Sequence, residues 1–131
     1  MKRIALTLAL SLALVAAQAR EAPLVETGRV VLTAASGQDA VRSAIIAGGA
    51  THGWVVTQEE PGKLTLKYNK QGKLEVVLDV LFDAKGYEIK YVDSKNLNYA
   101  KTAEGTMIHP TYNRWVANLV KAIGAVASAA R

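Results

Sequence analysis

Asp93, Ser94 and His109 are the residues of this sequence whose types match a hydrolytic triad. Such a triad needs a serine hydroxyl within hydrogen-bond reach of an imidazole that a carboxylate orients. No nucleophile-elbow motif surrounds Ser94. A turn in which Asp93 and Ser94 bond nearby backbone, with His109 as a helix cap, is the simpler interpretation. We therefore predict no catalytic residue.

Polar residues of the same region could instead hold a ligand at the start of a helix. A helix N-terminus offers backbone N–H groups and the positive end of a dipole to an anion or a carboxylate. The alternative is that these side chains only stabilise turns and the helix cap. The sequence leaves both interpretations open. The residues concerned are Asp93, Ser94, Asn96, His109, Tyr112 and Asn113.

Metal, thiol and phosphate chemistry have little support in the sequence. The chain has no cysteine, which excludes thiolate metal sites and thiol catalysis. Its two histidines belong to no HExxH or Cys/His cluster. No glycine-rich loop follows a predicted strand into a helix, as phosphate binding would require. We therefore predict no metal site and no cofactor.

The basic residues are scattered singly among acidic ones. The formal net charge is +5, from 16 Lys and Arg against 11 Asp and Glu. Lys2 and Arg3 belong to the leader described next, so its removal would leave a net charge of +3. Nucleic-acid binding needs a clustered basic stripe. We predict no nucleic-acid partner.

Residues 1–19 have the three parts of a secretory signal peptide. Lys2 and Arg3 precede an apolar run over residues 4–17, and Ala17-Gln18-Ala19 forms an A-x-A cleavage site. The apolar run is short for a membrane span. We therefore expect cleavage near Ala19/Arg20, a periplasmic or secreted mature protein, and no transmembrane segment in it.

Two amphipathic helices are predicted to position the polar region. Pro110 suits the first position of the second helix, which makes His109 its N-cap. Apolar residues at spacings of three and four then form one stripe as far as residue 126. The first helix is predicted to start at Ser36, which stands three residues before Asp39 in a weak capping-box pattern. The glycine pair at 48–49 is predicted to end it.

Between the helices the apolar period changes to two. Turn residues at 60–62, 69–72 and 83–86 separate four runs, and short turns make consecutive strands antiparallel neighbours. One face of the resulting sheet is predicted to carry the apolar core. Its residues are Trp54, Val56, Leu64, Leu66, Val76, Leu78, Val80, Ile89 and Tyr91.

These elements predict an α+β fold. It is a two-layer sandwich in which a four-stranded antiparallel meander carries two helices on one face, in the order α-β-β-β-β-α. Residues 20–35 are predicted to be an N-terminal lead, flexible up to residue 27, with a candidate extra edge strand over 28–33. Residues 36–127 form the single domain, and residues 128–131 are a frayed C-terminus.

The outer face of the sheet carries four apolar residues among charged ones. If neighbouring strands bring these side chains together, they form a patch suited to homodimerisation. The alternative is a solvated face on which they only satisfy strand propensity. The four residues are Val55, Val77, Leu81 and Val92.

Several short segments together resemble a family of small uncharacterised exported bacterial proteins. The resemblance covers roughly residues 36–123. Many members carry a lipobox cysteine, which this chain lacks, so lipid anchoring does not carry over. The resemblance implies an exported single domain and supplies no catalytic residues. The segments are Gly53-Trp54, GYEIKY at 86–91, DSKNLNY at 93–99, Ile108-His109 and YNRWVANL at 112–119.

Two functions are consistent with these patterns. The favoured one is a non-catalytic binding or interaction protein of the bacterial cell envelope, whose partner is an envelope protein or a small ligand. The alternative is a small envelope hydrolase that uses polar residues of segment 93–113. The first is favoured because catalysis needs an activated group, and the sequence shows none.

Overall fold

The computed structural model describes residues 21–129, so the predicted leader at 1–19 lies outside the described residues. Two helices and eight strands are present in this range. The helices are α1 (Gln38–Ala50) and α2 (Pro110–Ala129). The strands are β1 (Ala22–Pro23), β2 (Arg29–Val31), β3 (Val55–Glu60), β4 (Lys63–Lys70), β5 (Leu74–Phe82), β6 (Gly86–Lys95), β7 (Ala100–Thr102) and β8 (Gly105–Ile108).

The larger sheet has five antiparallel strands in the order β2-β6-β5-β4-β3. The α+β prediction is confirmed, and the candidate edge strand is present as β2. The four predicted meander strands are β3 to β6, and the prediction omits a second sheet of three strands in the order β1-β8-β7. The second sheet uses the lead and segment 100–108, whose short polar strands have no clear period of two.

The core lies between the larger sheet and the two helices. The predicted core face is confirmed: seven of its nine residues are buried, and Val56 and Tyr91 are half-buried against them. The central strand β5 contributes alternate residues, as its period of two predicts. The fully buried side chains also include Tyr87, Tyr112, Leu97 and Ile108.

Helix α2 begins where the sequence predicts. His109 is its N-cap, because the imidazole Nδ1 accepts a hydrogen bond from the backbone N–H of Thr111 at 3.1 Å. The apolar stripe of α2 faces the core through Tyr112, Val116 and Leu119. The helix continues to Ala129, within the predicted frayed end, and residues 130–131 lie outside the described range.

Both predicted ends of α1 are wrong. The N-cap is Gly37 and makes no side-chain capping bond, so Ser36 and Asp39 form no capping box. Gly48 and Gly49 lie inside the helix and do not cap it. Glycine is needed at position 48 because a Cβ there would lie 2.7 Å from the backbone N of Ile123, where α1 and α2 meet.

The connection from β6 to α2 is folded throughout and contains β7 and β8. Asn96 and Asn98 both have positive φ, at 63° and 57°, which asparagine tolerates better than most residues. Leu97 lies between them, buried in the core, and its carbonyl accepts a hydrogen bond from the N–H of His109 at 2.7 Å. This connection brings β7 and β8 beside the lead.

Neither α1 nor α2, the helices described within residues 21–129, is long and apolar enough to cross a membrane.

Candidate binding groove

An open groove of about 550 Å³ lies where the small sheet meets β6. One wall is formed by the lead, one by β6, and one by β7 with the β7–β8 turn. We call it the tyrosine groove and define it by Leu24, Glu26, Tyr91, Tyr99, Lys101 and Glu104. It is built from segments that are far apart in the chain.

Tyrosine side chains form a column from the core to this groove. Tyr112 is buried, and Tyr91 meets it edge to face with ring centroids 5.7 Å apart. Tyr91 and Tyr99 are stacked, with centroids 4.3 Å apart and planes only 5° from parallel. Tyr99 is 37% exposed. The groove therefore has an aromatic wall whose inner member is fixed by core packing.

Burial raises the pKa of the two inner tyrosines of this column. It raises the pKa of Tyr91, an effect that the hydrogen bond to Ser94 partly opposes. It raises the pKa of Tyr112 further. The Tyr91 hydroxyl and the Ser94 Oγ are 2.6 Å apart and share a hydrogen bond. Tyr91 and Tyr112 are thus uncharged at neutral pH, and the charge of the groove comes from neighbouring side chains.

Charged side chains of both signs surround the tyrosines. Glu26 belongs to the lead, Lys101 to β7 and Glu104 to the β7–β8 turn. Lys90 lies 3.7 Å from Glu26 and 3.1 Å from Glu88, so Glu26 is loosely paired. Within residues 21–129 no three His, Asp or Glu side chains are grouped as a metal site would need. The groove can therefore offer an aromatic surface together with hydrogen-bonding charged groups.

The predicted ligand residues are not gathered around one point. Asp93 is exposed and pairs with Val77 on β5, whereas Ser94 pairs with Val76 and is half-buried. Asn96 turns to the β4–β5 connection, where its Nδ2 donates to the carbonyl of Lys73 at 2.6 Å. These contacts belong to turns and strand ends, which favours the interpretation that the side chains only stabilise local structure.

The remaining predicted ligand residues belong to the start of α2. His109 caps the helix and Tyr112 is in the core. Asn113 reaches back to the lead: its Nδ2 donates to the carbonyl of Pro23, and its Oδ1 accepts from the N–H of Val25, both at 2.9 Å. Of the six residues, Ser94, Tyr112 and Asn113 contact or support the tyrosine groove.

A hydrolytic triad is not assembled. The Ser94 Oγ is hydrogen-bonded to the Tyr91 hydroxyl, and the His109 Nδ1 accepts from Thr111. A nucleophilic serine needs its hydroxyl bonded to the base. In this arrangement serine and imidazole have other partners, so neither activates the other.

The apolar residues of the outer sheet face are separated by charges. One row of neighbouring residues across the strands consists, in order, of Val55, Lys67, Val77 and Asp93. Leu81 is flanked by Lys63 and Glu88, and Val92 is the extra residue of a bulge in β6. Glu75 on the same face is paired with Lys67 and Lys95. This distribution favours a solvated surface over one continuous apolar patch.

Two other pockets have fewer features of a binding site. One, of about 410 Å³, lies between the start of α1 and the β3–β4 turn, and the Arg42–Glu59 ion pair occupies its rim. The other, of about 300 Å³, is lined mainly by alanines between the start of α1 and the end of α2. Phe82 lines the first pocket, but neither pocket is lined by two aromatic residues as the tyrosine groove is.

No protein-family model, curated protein or solved structure matches this chain.

The sequence gives only a partial signal for the tyrosine groove. Three of the five tyrosines lie between Tyr91 and Tyr112, and Tyr99 stands in a polar stretch where an aromatic side chain has no obvious core role. Glu26, Lys101 and Glu104 carry no such signal, because single charged residues are common on any surface.

Proposed function

We propose that the protein is an exported, non-catalytic binding protein of the bacterial cell envelope. It holds a small ligand, or a segment of a partner protein, in the tyrosine groove. The observation that carries this proposal is the stacked Tyr91–Tyr99 pair lining an open groove of about 550 Å³. Sites for small molecules have volumes of roughly 300–1,000 Å³ and combine apolar walls with a few polar groups.

The two tyrosines make different contributions to such a site. Tyr91 is held by Tyr112 beneath it and by Ser94 at its hydroxyl, so it provides a rigid base. Tyr99 is the more exposed ring and can contact a ligand directly. Rigid aromatic side chains lose little conformational entropy on binding, which is why they dominate many interaction sites. The surrounding charges would orient the ligand.

Catalysis has weaker support than binding. The hydrolase alternative needs an activated nucleophile in segment 93–113, and the hydroxyl of Ser94 is bonded to a tyrosine instead of a histidine. Export rests on the leader pattern at 1–19. N-terminal sequencing of exported material should find Arg20 as the first residue, and finding Met1 would contradict export with cleavage.

The decisive variant for binding is Tyr99→Ala. Because Tyr99 is exposed at the groove, its removal should abolish most ligand retention while leaving the thermal midpoint within a few degrees of the wild type. Lys121→Ala is the matched control, because Lys121 is exposed on α2 away from the groove. Equal retention by wild type and Tyr99→Ala would refute the groove as the binding site.

A further inference from the structure

The first described residues of the chain form one wall of the tyrosine groove. We call residues 21–27 the strap. Ala22 pairs with Ile108 and Pro23 with Met107 in an antiparallel ladder only two residues long. The N–H of Leu24 extends this ladder by donating to the carbonyl of Thr106 at 3.0 Å. Pro23, Leu24 and Glu26 face the groove.

Asn113 completes the hydrogen bonding of the strap on its other edge. In an extended strand, successive residues direct their backbone groups to opposite sides. Leu24 points its N–H at β8, so the Pro23 carbonyl and the Val25 N–H point away from it. The side-chain amide of Asn113 bonds both of these groups at 2.9 Å. It thereby takes the place of one peptide group of a neighbouring strand.

The other end of the strap is attached to β6. The Thr27 Oγ1 accepts a hydrogen bond from the N–H of Ile89 at 3.2 Å and donates to the carbonyl of Gly28. Gly28 has a φ of 62°, and a Cβ there would meet nothing within 4 Å. A glycine in open space with positive φ is a suitable pivot. The strap thus has a pivot at Gly28 and a fastening at Asn113.

We propose that the strap is a movable wall of the tyrosine groove and that Asn113 is the positioning residue that keeps it closed. This inference rests on the proposed binding function and names the element that controls access to the site. The strap is joined to the domain by far fewer ladder bonds than the longer strands of the main sheet, and Val25 is 59% exposed. Segments that are held by so few bonds undergo local opening without global unfolding.

The test compares Asn113→Ala with Asn118→Ala in the mature protein by hydrogen–deuterium exchange. Asn118 is an exposed asparagine on the same helix, so it is the matched control. Asn113→Ala should accelerate exchange in the strap about tenfold, while exchange in β5 stays at the wild-type rate. Asn113→Asp keeps an acceptor for Val25 but loses the donor to Pro23, so an intermediate acceleration is expected.

A second readout reports whether the groove opens. Nitration of Tyr91 by tetranitromethane, measured by mass spectrometry, should rise several-fold in Asn113→Ala, because Tyr91 is half-buried beside the strap. Asn118→Ala should react like the wild type. Unchanged strap exchange in Asn113→Ala, or equal acceleration throughout the domain, would overturn the proposal. Failure of the binding function would instead appear with Tyr99→Ala and leave these two measurements unaffected.

Discussion

Gly48→Ala should destabilise the protein because of the contact between α1 and α2. An alanine Cβ at this position would lie 2.7 Å from the backbone N of Ile123, 2.8 Å from its Cα and 3.0 Å from the carbonyl carbon of Ala122. Backbone atoms cannot rotate away as a side chain can, so the helices must separate. Overpacking of this kind costs about 1–3 kcal/mol, and a clash with backbone belongs at the upper end.

Helix propensity acts in the opposite direction and is too small to compensate. Replacing glycine by alanine inside a helix contributes about 0.8–1 kcal/mol. The net result for Gly48→Ala is a loss of about 2 kcal/mol in the free energy of unfolding. For a domain of this size that lowers the thermal midpoint by about 8 °C.

Gly124→Ala is the matched control, because Gly124 lies in α2 and a Cβ there would meet nothing within 4 Å. This variant receives the propensity gain alone, so its thermal midpoint should rise by about 2–4 °C. Thermal and denaturant unfolding of both variants, followed by circular dichroism, measures the two effects. A Gly48→Ala variant that is as stable as Gly124→Ala would refute the close helix contact.

Three further predictions concern the buried Tyr87 hydroxyl, the Asp83 carboxylate and the outer face of the sheet. Tyr87→Phe should raise the free energy of unfolding by about 1 kcal/mol, because the Tyr87 hydroxyl is buried without a hydrogen-bond partner among residues 21–129. A loss of stability in denaturant unfolding would show that the hydroxyl has a hydrogen-bond partner. Hydrogen bonds from Arg29 and from the N–H groups of Lys85 and Gly86 lower the pKa of Asp83 from 3.8 to about 2. The Asp83 carboxylate therefore stabilises the fold above pH 4, and this contribution disappears as the pH falls towards 2. Thermal midpoints of wild type and Asp83→Asn should therefore converge over that window, and a constant difference would contradict the assignment. The charged outer face predicts that the protein sediments as a monomer, whereas a dimer that Leu81→Lys dissociates would favour the homodimer that the sequence leaves open as one alternative.

Much of the fold could be predicted from the sequence because its main elements have strong periods. The alternation through β5 and the stripe of α2 both reflect one buried face, and burial is the dominant force in a domain of this size. His109 and Pro110 carry a local signal that needs no tertiary contact. These features were predictable because each is decided by neighbouring residues.

The incorrect predictions concern positions where tertiary contacts decide. Gly48-Gly49 is a typical helix end by local rules, yet both glycines lie inside α1, where Gly48 leaves room for the backbone of α2. The hairpin of β7 and β8 has no clear alternation in its sequence, and the third strand of its small sheet comes from the distant lead.

The candidate site was less predictable than the fold. Asn113 bonds Val25 across 88 positions in the chain, and no local pattern indicates such a contact. The tyrosine groove likewise joins the lead to residues from Tyr91 onward. Three of the predicted ligand residues contact or support the groove, but the sequence does not indicate the tyrosine pair as its central feature.

The measurement that tests the central claim most directly is retention of a ligand by the mature protein and by its Tyr99→Ala variant. Each protein is incubated with the same bacterial envelope extract, recovered under native conditions and examined by mass spectrometry, with Lys121→Ala as the control. Our account predicts that one molecular species is retained by the wild type and by Lys121→Ala and is lost from Tyr99→Ala. Equal retention by all three proteins, or retention by none of them, would contradict it.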